Sequence, residues 1–241
     1  MSAGGRPRRP LLGYAEDDLL AERILAAALW IAIAAVVLQT LVDAVAVWAL
    51  DRRYEVLLAD SDESVFAWAS VSATAAAAAG AFLLSLAAPA RRHLLWFVAA
   101  VTAFLSLDDF IRMHERLGDL ADRAESLEAW EPGRLLWPVI FFPLLAGLFL
   151  ALWSVARRLA VGPGRSIRVG LALLTLAVLL EVASAGILRA GYDRGTVPYE
   201  VEVIAEEGAE LAAWILVAGG LLAAFALDAR RDEATMRREG G

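Results

Sequence analysis

The stretch "FLSLDDFIRMHERLG", residues 104–118, gathers side chains able to hold a metal or move a proton: Asp108, Asp109, Arg112, His114 and Glu115. On a helix turning about 100° per residue, Asp108, Arg112 and Glu115 fall within roughly 60° of each other, and His114 lies about 100° from Glu115. Asp109 points elsewhere. Far downstream, "YEVEVIAEEGAELAAW" places Glu200, Glu207, Glu210 and Trp214 on one helical stripe, with Glu206 beside it. Glu181 stands in the apolar run "LALLTLAVLLEVASAGIL" with nothing nearby to pair, and Asp43 follows the first long uncharged run.

Three kinds of chemistry fit these groups. Carboxylates with one imidazole ligate a divalent metal ion, because oxygen and nitrogen donors suit a hard or borderline cation. Asp108, His114, Glu115, Glu181, Glu207 and Glu210 are the candidate ligands. Asp43, Asp109, Arg112, Glu200 and Glu206 would support them or line an ion pathway. If the protein is an enzyme, which the sequence leaves open, metal-activated water or oxygen would act on a lipid-like molecule entering from the bilayer. Alternatively, the same carboxylates bind and release the ion of a cation- or proton-coupled transporter or channel. In a third reading Arg112 closes an ion-pair network with Asp108 and Glu115, and the charges lock helices together or serve a partner.

Composition removes several classes. Cysteine is absent, so there are no disulfides, thiol nucleophiles or thiolate metal sites. All 22 basic residues are arginine, which excludes a lysine Schiff base. With 2 histidines, His93 and His114, a three-histidine zinc site of the alkaline ceramidase type is impossible. His93, next to Arg91 and Arg92, reads as an interface residue. Ser106 and His114 are separated by about 12 Å of helical rise, too far for nucleophile and base on one helix. No Walker loop, dinucleotide fingerprint or nucleic-acid surface is present.

The elements that must carry these groups are membrane helices. The chain of 241 residues is 60% hydrophobic with a mean hydropathy of +0.60, against about 45 to 50% apolar residues in soluble domains. The class is an all-α polytopic membrane protein, a bundle of six transmembrane helices forming a single membrane domain over 1–241. Uncharged runs at 24–42, 64–90, 135–156 and 211–227 approach the roughly 20 residues needed to cross the hydrocarbon. Runs 94–107 and 169–180 are shorter, and reach that length only by taking Asp108, Asp109 and Glu181 into the membrane. The helices are expected at about 21–50, 63–89, 93–118, 134–157, 168–190 and 198–228.

With the N-terminus inside, 14 arginines fall on the inner side and 8 on the outer. The positive-inside rule therefore favours a cytoplasmic (plasma) membrane protein with both termini cytoplasmic. Measured from those inner ends at about 1.5 Å per residue, Glu181 lies at roughly 18 Å, Asp108 at about 22 Å, and Asp43, Glu210, Glu207 and His114 at about 28 to 31 Å. Four helices thus put ionisable groups in the outer half, in a polar pocket expected between the third, fifth and sixth helices.

Other features read structurally. Residues 11–22 are expected along the inner interface and the tail after 228 as a solvated, frayed end. Loop 119–133, with Leu120, Ala124, Leu127 and Trp130 at near-helical spacing, could cover the acidic site as a lid. Trp48, Trp96, Trp130, Trp153 and Tyr199 fit an interfacial aromatic belt. "ASVSATAAAAAGAF" fits close helix packing, and Pro138 with Pro143 a kinked fourth helix. No internal repeat relates the two halves, which weakens an inverted-repeat transporter.

"FLSLDDFIRMHERLG" followed by "EEGAEL" resembles uncharacterised multi-pass bacterial membrane proteins that carry L-D-[DE]-x4-H-E in one helix and E-E-x-x-E-L in the last. The resemblance implies bacterial origin and a shared site, and brings no activity with it.

Overall fold

The computed structural model describes residues 13–59, 61, 63–111, 133–192 and 196–239. Six helices carry the fold: α1 (Gly13–Trp48), α2 (Val65–Ala87), α3 (Arg92–Ile111), α4 (Gly133–Arg158), α5 (Val161–Arg189) and α6 (Val197–Glu239). Short 3₁₀ turns at Glu55–Leu57 and Pro89–Arg91 lead into α2 and α3. All six contain segments long and apolar enough to cross a bilayer, so the chain is a multi-pass membrane protein of the all-α class.

Arg112, His114 and Glu115, and the proposed lid at 119–133 save its last residue, lie outside the described residues. Asp108 and Asp109 are inside α3, as the length argument requires. Three boundaries differ from expectation. Helix α1 begins at Gly13 and continues unbroken into the first spanning segment, Leu19–Trp48, so 13–22 is not a separate element. Helix α6 runs 43 residues to Glu239, so the tail is helical. Helix α5 starts seven residues early, because Pro163 falls in the first turn, where a missing N–H costs nothing. Glu181 is then about 30 Å along its helix rather than 18 Å.

Helix α6 is the axis of the bundle. Helices α1, α2 and α5 pack directly on it, α3 packs on α2 and α4, and α4 packs on α5. A lipid-facing helix needs only one apolar face toward protein, whereas α6 must present small, close-fitting residues on three sides. Its "AGGLLAA" supplies them. A Cβ on Gly219 would come within 2.4 Å of Ala28 Cβ, and one on Gly220 within 2.7 Å of Ile167 Cγ1.

These contacts fix the register. Gly219 meets Ala28 and Gly208 meets Val36, so α1 and α6 are antiparallel; α5 and α6 are likewise antiparallel, with Gly220 at Ile167 and Gly170 at Val217. Ser166 Oγ donates to the Leu216 carbonyl at 2.7 Å and Ser106 Oγ to the Val71 carbonyl at 3.0 Å, adding hydroxyl ties between helices. One half of the bundle is then filled by Leu84, Leu95, Leu152, Val155, Ile167, Leu171, Val217 and Leu221, all buried. The acids lie in the other half.

Candidate functional site

The acid end is assembled by the turn after α1 and by the outer portions of α5 and α6. Asp51 and Arg52 adopt left-handed φ values of 49° and 56°, which non-glycine residues seldom take unless the surroundings hold them. The turn stops α1 and swings the Arg52 guanidinium onto the first turn of α6, where its Nη1 donates to Glu200 Oε1. Glu200 is 1% exposed and Arg52 partly so. One turn back on α1, Asp43 is buried and its Oδ1 accepts the Ala59 backbone N–H at 2.6 Å. Ala59 packs on Tyr199 and Val203. Asp43 and Glu200 thus pin the α1–α2 connection to α6, and Tyr199 is interior rather than part of an aromatic belt. Trp48, Trp96 and Trp153 are exposed, as a belt requires.

On α6 itself the acids divide by face. Taking the close contacts as reference, α5 faces the side of Ala213 and Gly220, and α2 the side of Leu221 and Leu222. At about 100° per residue, Glu202 and Glu206 point toward α5, Glu207 toward α2, and Glu210 between the two. Sequence reasoning included Glu206 and missed Glu202. The signal was present as the i, i+4 pair Glu202–Glu206, continued on the same face by Ala209, Ala213 and Gly220 where α5 approaches.

Glu202 is 6% exposed, and no N–H or hydroxyl donor reaches either of its side-chain oxygens. The Glu206 carboxyl lies within hydrogen-bonding reach of it. Glu181 and Glu210 are the next acids near Glu206. The antiparallel register explains the first of these, setting Glu181 level with Glu206 rather than deeper. Glu210 Oε1 is 3.4 Å from Trp214 Nε1, an indole that closes the acid end against the apolar half.

Of the other sequence candidates, Asp108 is buried on α3 and Asp109 half-buried beside it. The described part of α3 is separated from α6 by α2, so its acids and those of α6 are not on directly packed helices. Ser106 spends its hydroxyl on the Val71 carbonyl, consistent with its exclusion as a nucleophile. His93 is exposed in the first turn of α3. Among the described residues no group of three or more His, Cys, Asp or Glu side chains has metal-holding geometry. The chemistry open to the Glu202–Glu206 pair is to share a proton between two carboxyls.

Neither the curated proteins nor the solved structures contain a match to this chain. One family model does match, over residues 23–225. That range spans all six helices, and the chain belongs to the family described as "Domain of unknown function (DUF8692)".

Proposed function

We propose that this is a bacterial plasma-membrane protein whose acid end binds and releases a proton or small cation, the chemistry of an ion-coupled transporter or channel. The observation that carries the reading is the Glu202–Glu206 pair: Glu202 is buried, its carboxyl has, among the described residues, only Glu206 in hydrogen-bonding reach, and Glu181 and Glu210 are the next acids. Carboxylates so near one another, away from water, cannot all carry bare charge; a proton or cation between them relieves the repulsion. The apolar packing around Trp214 closes the acid end against the other half of the bundle. The arginine distribution supports an acid end facing outside the cell, with both termini in the cytoplasm.

A resident divalent metal would draw on the same carboxylates together with Asp108, His114 and Glu115, and a metal-dependent reaction on a lipid-like substrate would follow from it. Two measurements separate the readings. In proteoliposomes, imposed proton or alkali-cation gradients should be dissipated by the wild type and not by Glu206→Gln, while Glu63→Gln in the exposed α1–α2 connection behaves as wild type. Equal flux in wild type and Glu206→Gln overturns the ion reading. Elemental analysis giving one tightly held divalent metal per chain puts the metal reading in its place.

A further inference from the structure

The two ends of the seam that holds Glu202 and Glu206 are closed by different kinds of structure. Toward the apolar half the closure is helical, with the Trp214 indole 3.4 Å from Glu210 Oε1. Toward the end where α5 stops and α6 begins, the α1–α2 connection, residues 49–64, takes part. Ala59 is 3% exposed and shares a buried cluster with Tyr199 and Val203 of α6, with Ile187 of α5 packed against it. Val203 directly follows Glu202, and Tyr199 lies within about 20° of Glu206 around the helix. At about 1.5 Å per residue, Ile187 is roughly 9 Å beyond Glu181 on α5, and Tyr199 roughly 10 Å before Glu206 on α6. Ala59 is therefore wedged between the same two helices that carry the acids, on the way from the acids to that end of the bundle.

The connection is built to move separately from the helices. It exceeds the roughly 2 to 8 residues that usually join bundle helices, and loops of such length are commonly lids or binding loops. Tyr54, Glu55 and Val56 in its middle are exposed, whereas Leu58 turns in onto Ala46 and Val47 of α1, and Ala59 onto α5 and α6. Side-chain ties hold both its limbs: Arg52 Nη1 donates to Glu200 Oε1 on α6, and the Ala59 N–H donates to Asp43 Oδ1 on α1. The left-handed φ values at Asp51 and Arg52 are ones that such residues keep only under restraint, so the turn depends on those ties. Opening a packed helix disrupts the bundle, whereas a short irregular segment with few contacts opens alone. We propose that residues 49–64 are a gate over the Glu202–Glu206 pair, with Leu58 and Ala59 as its plug and the Arg52–Glu200 ion pair as its latch. Closed, it keeps water from the pair; released, it admits water along the α5–α6 seam. The gate's role in ion movement rests on the reading of the acid end as an ion site, but access to the pair is measured without flux.

The test uses the full chain in phosphatidylcholine nanodiscs, where the absence of cysteine lets Glu202→Cys report access to a small charged methanethiosulfonate. Labelling should be slow with Arg52 in place and at least about tenfold faster when Arg52→Gln opens the latch. Arg52→Lys, which keeps the cation, should stay slow. Asp43→Ala releases the other tie and should speed labelling in the same direction, which keeps the proposal testable if Arg52→Gln does not fold. Val217→Cys, buried in the apolar half, reports loosening of the whole bundle and should label slowly throughout. Equal labelling of Glu202→Cys with and without the ties overturns the gate, as does a matching rise at Val217→Cys. Labelling that follows the latch while Glu206→Gln leaves ion flux unchanged keeps the gate and removes the ion reading. Flux lost in Glu206→Gln with labelling indifferent to both ties does the reverse.

Discussion

Arg52 and Glu200 form an ion pair in which Glu200 is buried and Arg52 partly so. Removing one partner of a buried ion pair strands the other, a cost of about 3 to 5 kcal/mol. Arg52→Gln, which leaves Glu200 buried, should lower the thermal midpoint in detergent, and Arg52→Gln/Glu200→Gln should recover part of the loss. A single variant as stable as wild type refutes that account of the turn. Asp43→Ala removes the acceptor of the buried Ala59 N–H, and about 1 to 3 kcal/mol should go with it. Limited proteolysis within the α1–α2 connection should accelerate correspondingly. The sequence made Asp43 and Glu200 visible as acids. It could not show that both are engaged by the α1–α2 connection, because Arg52 reaches Glu200 across 148 positions through a left-handed turn that no local pattern announces. Glu202 was hidden by a different cause. Among five glutamates in one short stretch, choosing those that face α5 depends on knowing where α5 sits.

Helix existence was legible, since uninterrupted apolar length is a strong signal for a membrane span. Helix ends were not, because charge marks where a helix leaves lipid rather than where its hydrogen bonding stops. Thus α1 begins before its spanning segment, and α5 and α6 continue beyond theirs. What the pattern withheld most was adjacency, with α6 at the centre and α3 beyond α2. The packing around α6 has a direct test. Gly219→Ala would drive a Cβ to 2.4 Å from Ala28 Cβ, and overpacking of this kind costs about 1 to 3 kcal/mol. Ala28→Gly in the same chain should restore the thermal midpoint. If Gly219→Ala alone melts as the wild type does, α1 and α6 are not in the register described.

The whole molecule is a bundle with an acid half and an apolar half, and its direction across the membrane is an experimental question with an unusually clean approach. Because the chain has no cysteine, a single introduced thiol has no background. Glu63→Cys, before α2, should react with an impermeant maleimide added to intact cells, whereas Ala160→Cys, between α4 and α5, should react only after lysis. The opposite pattern would turn the acid half toward the cytoplasm. Helix α6 also has a mechanical meaning. At about 65 Å it is roughly twice as long as the hydrocarbon is thick, and its last ten residues, Arg230–Glu239, extend past the spanning segment without a break. Glu202 and Glu206 therefore ride on the same rigid rod as a handle on the opposite face of the membrane. A push, twist or capture of that handle would be delivered to the acids along a continuous ladder of backbone hydrogen bonds, and an ion bound there as proposed would pull back on the handle by the same route.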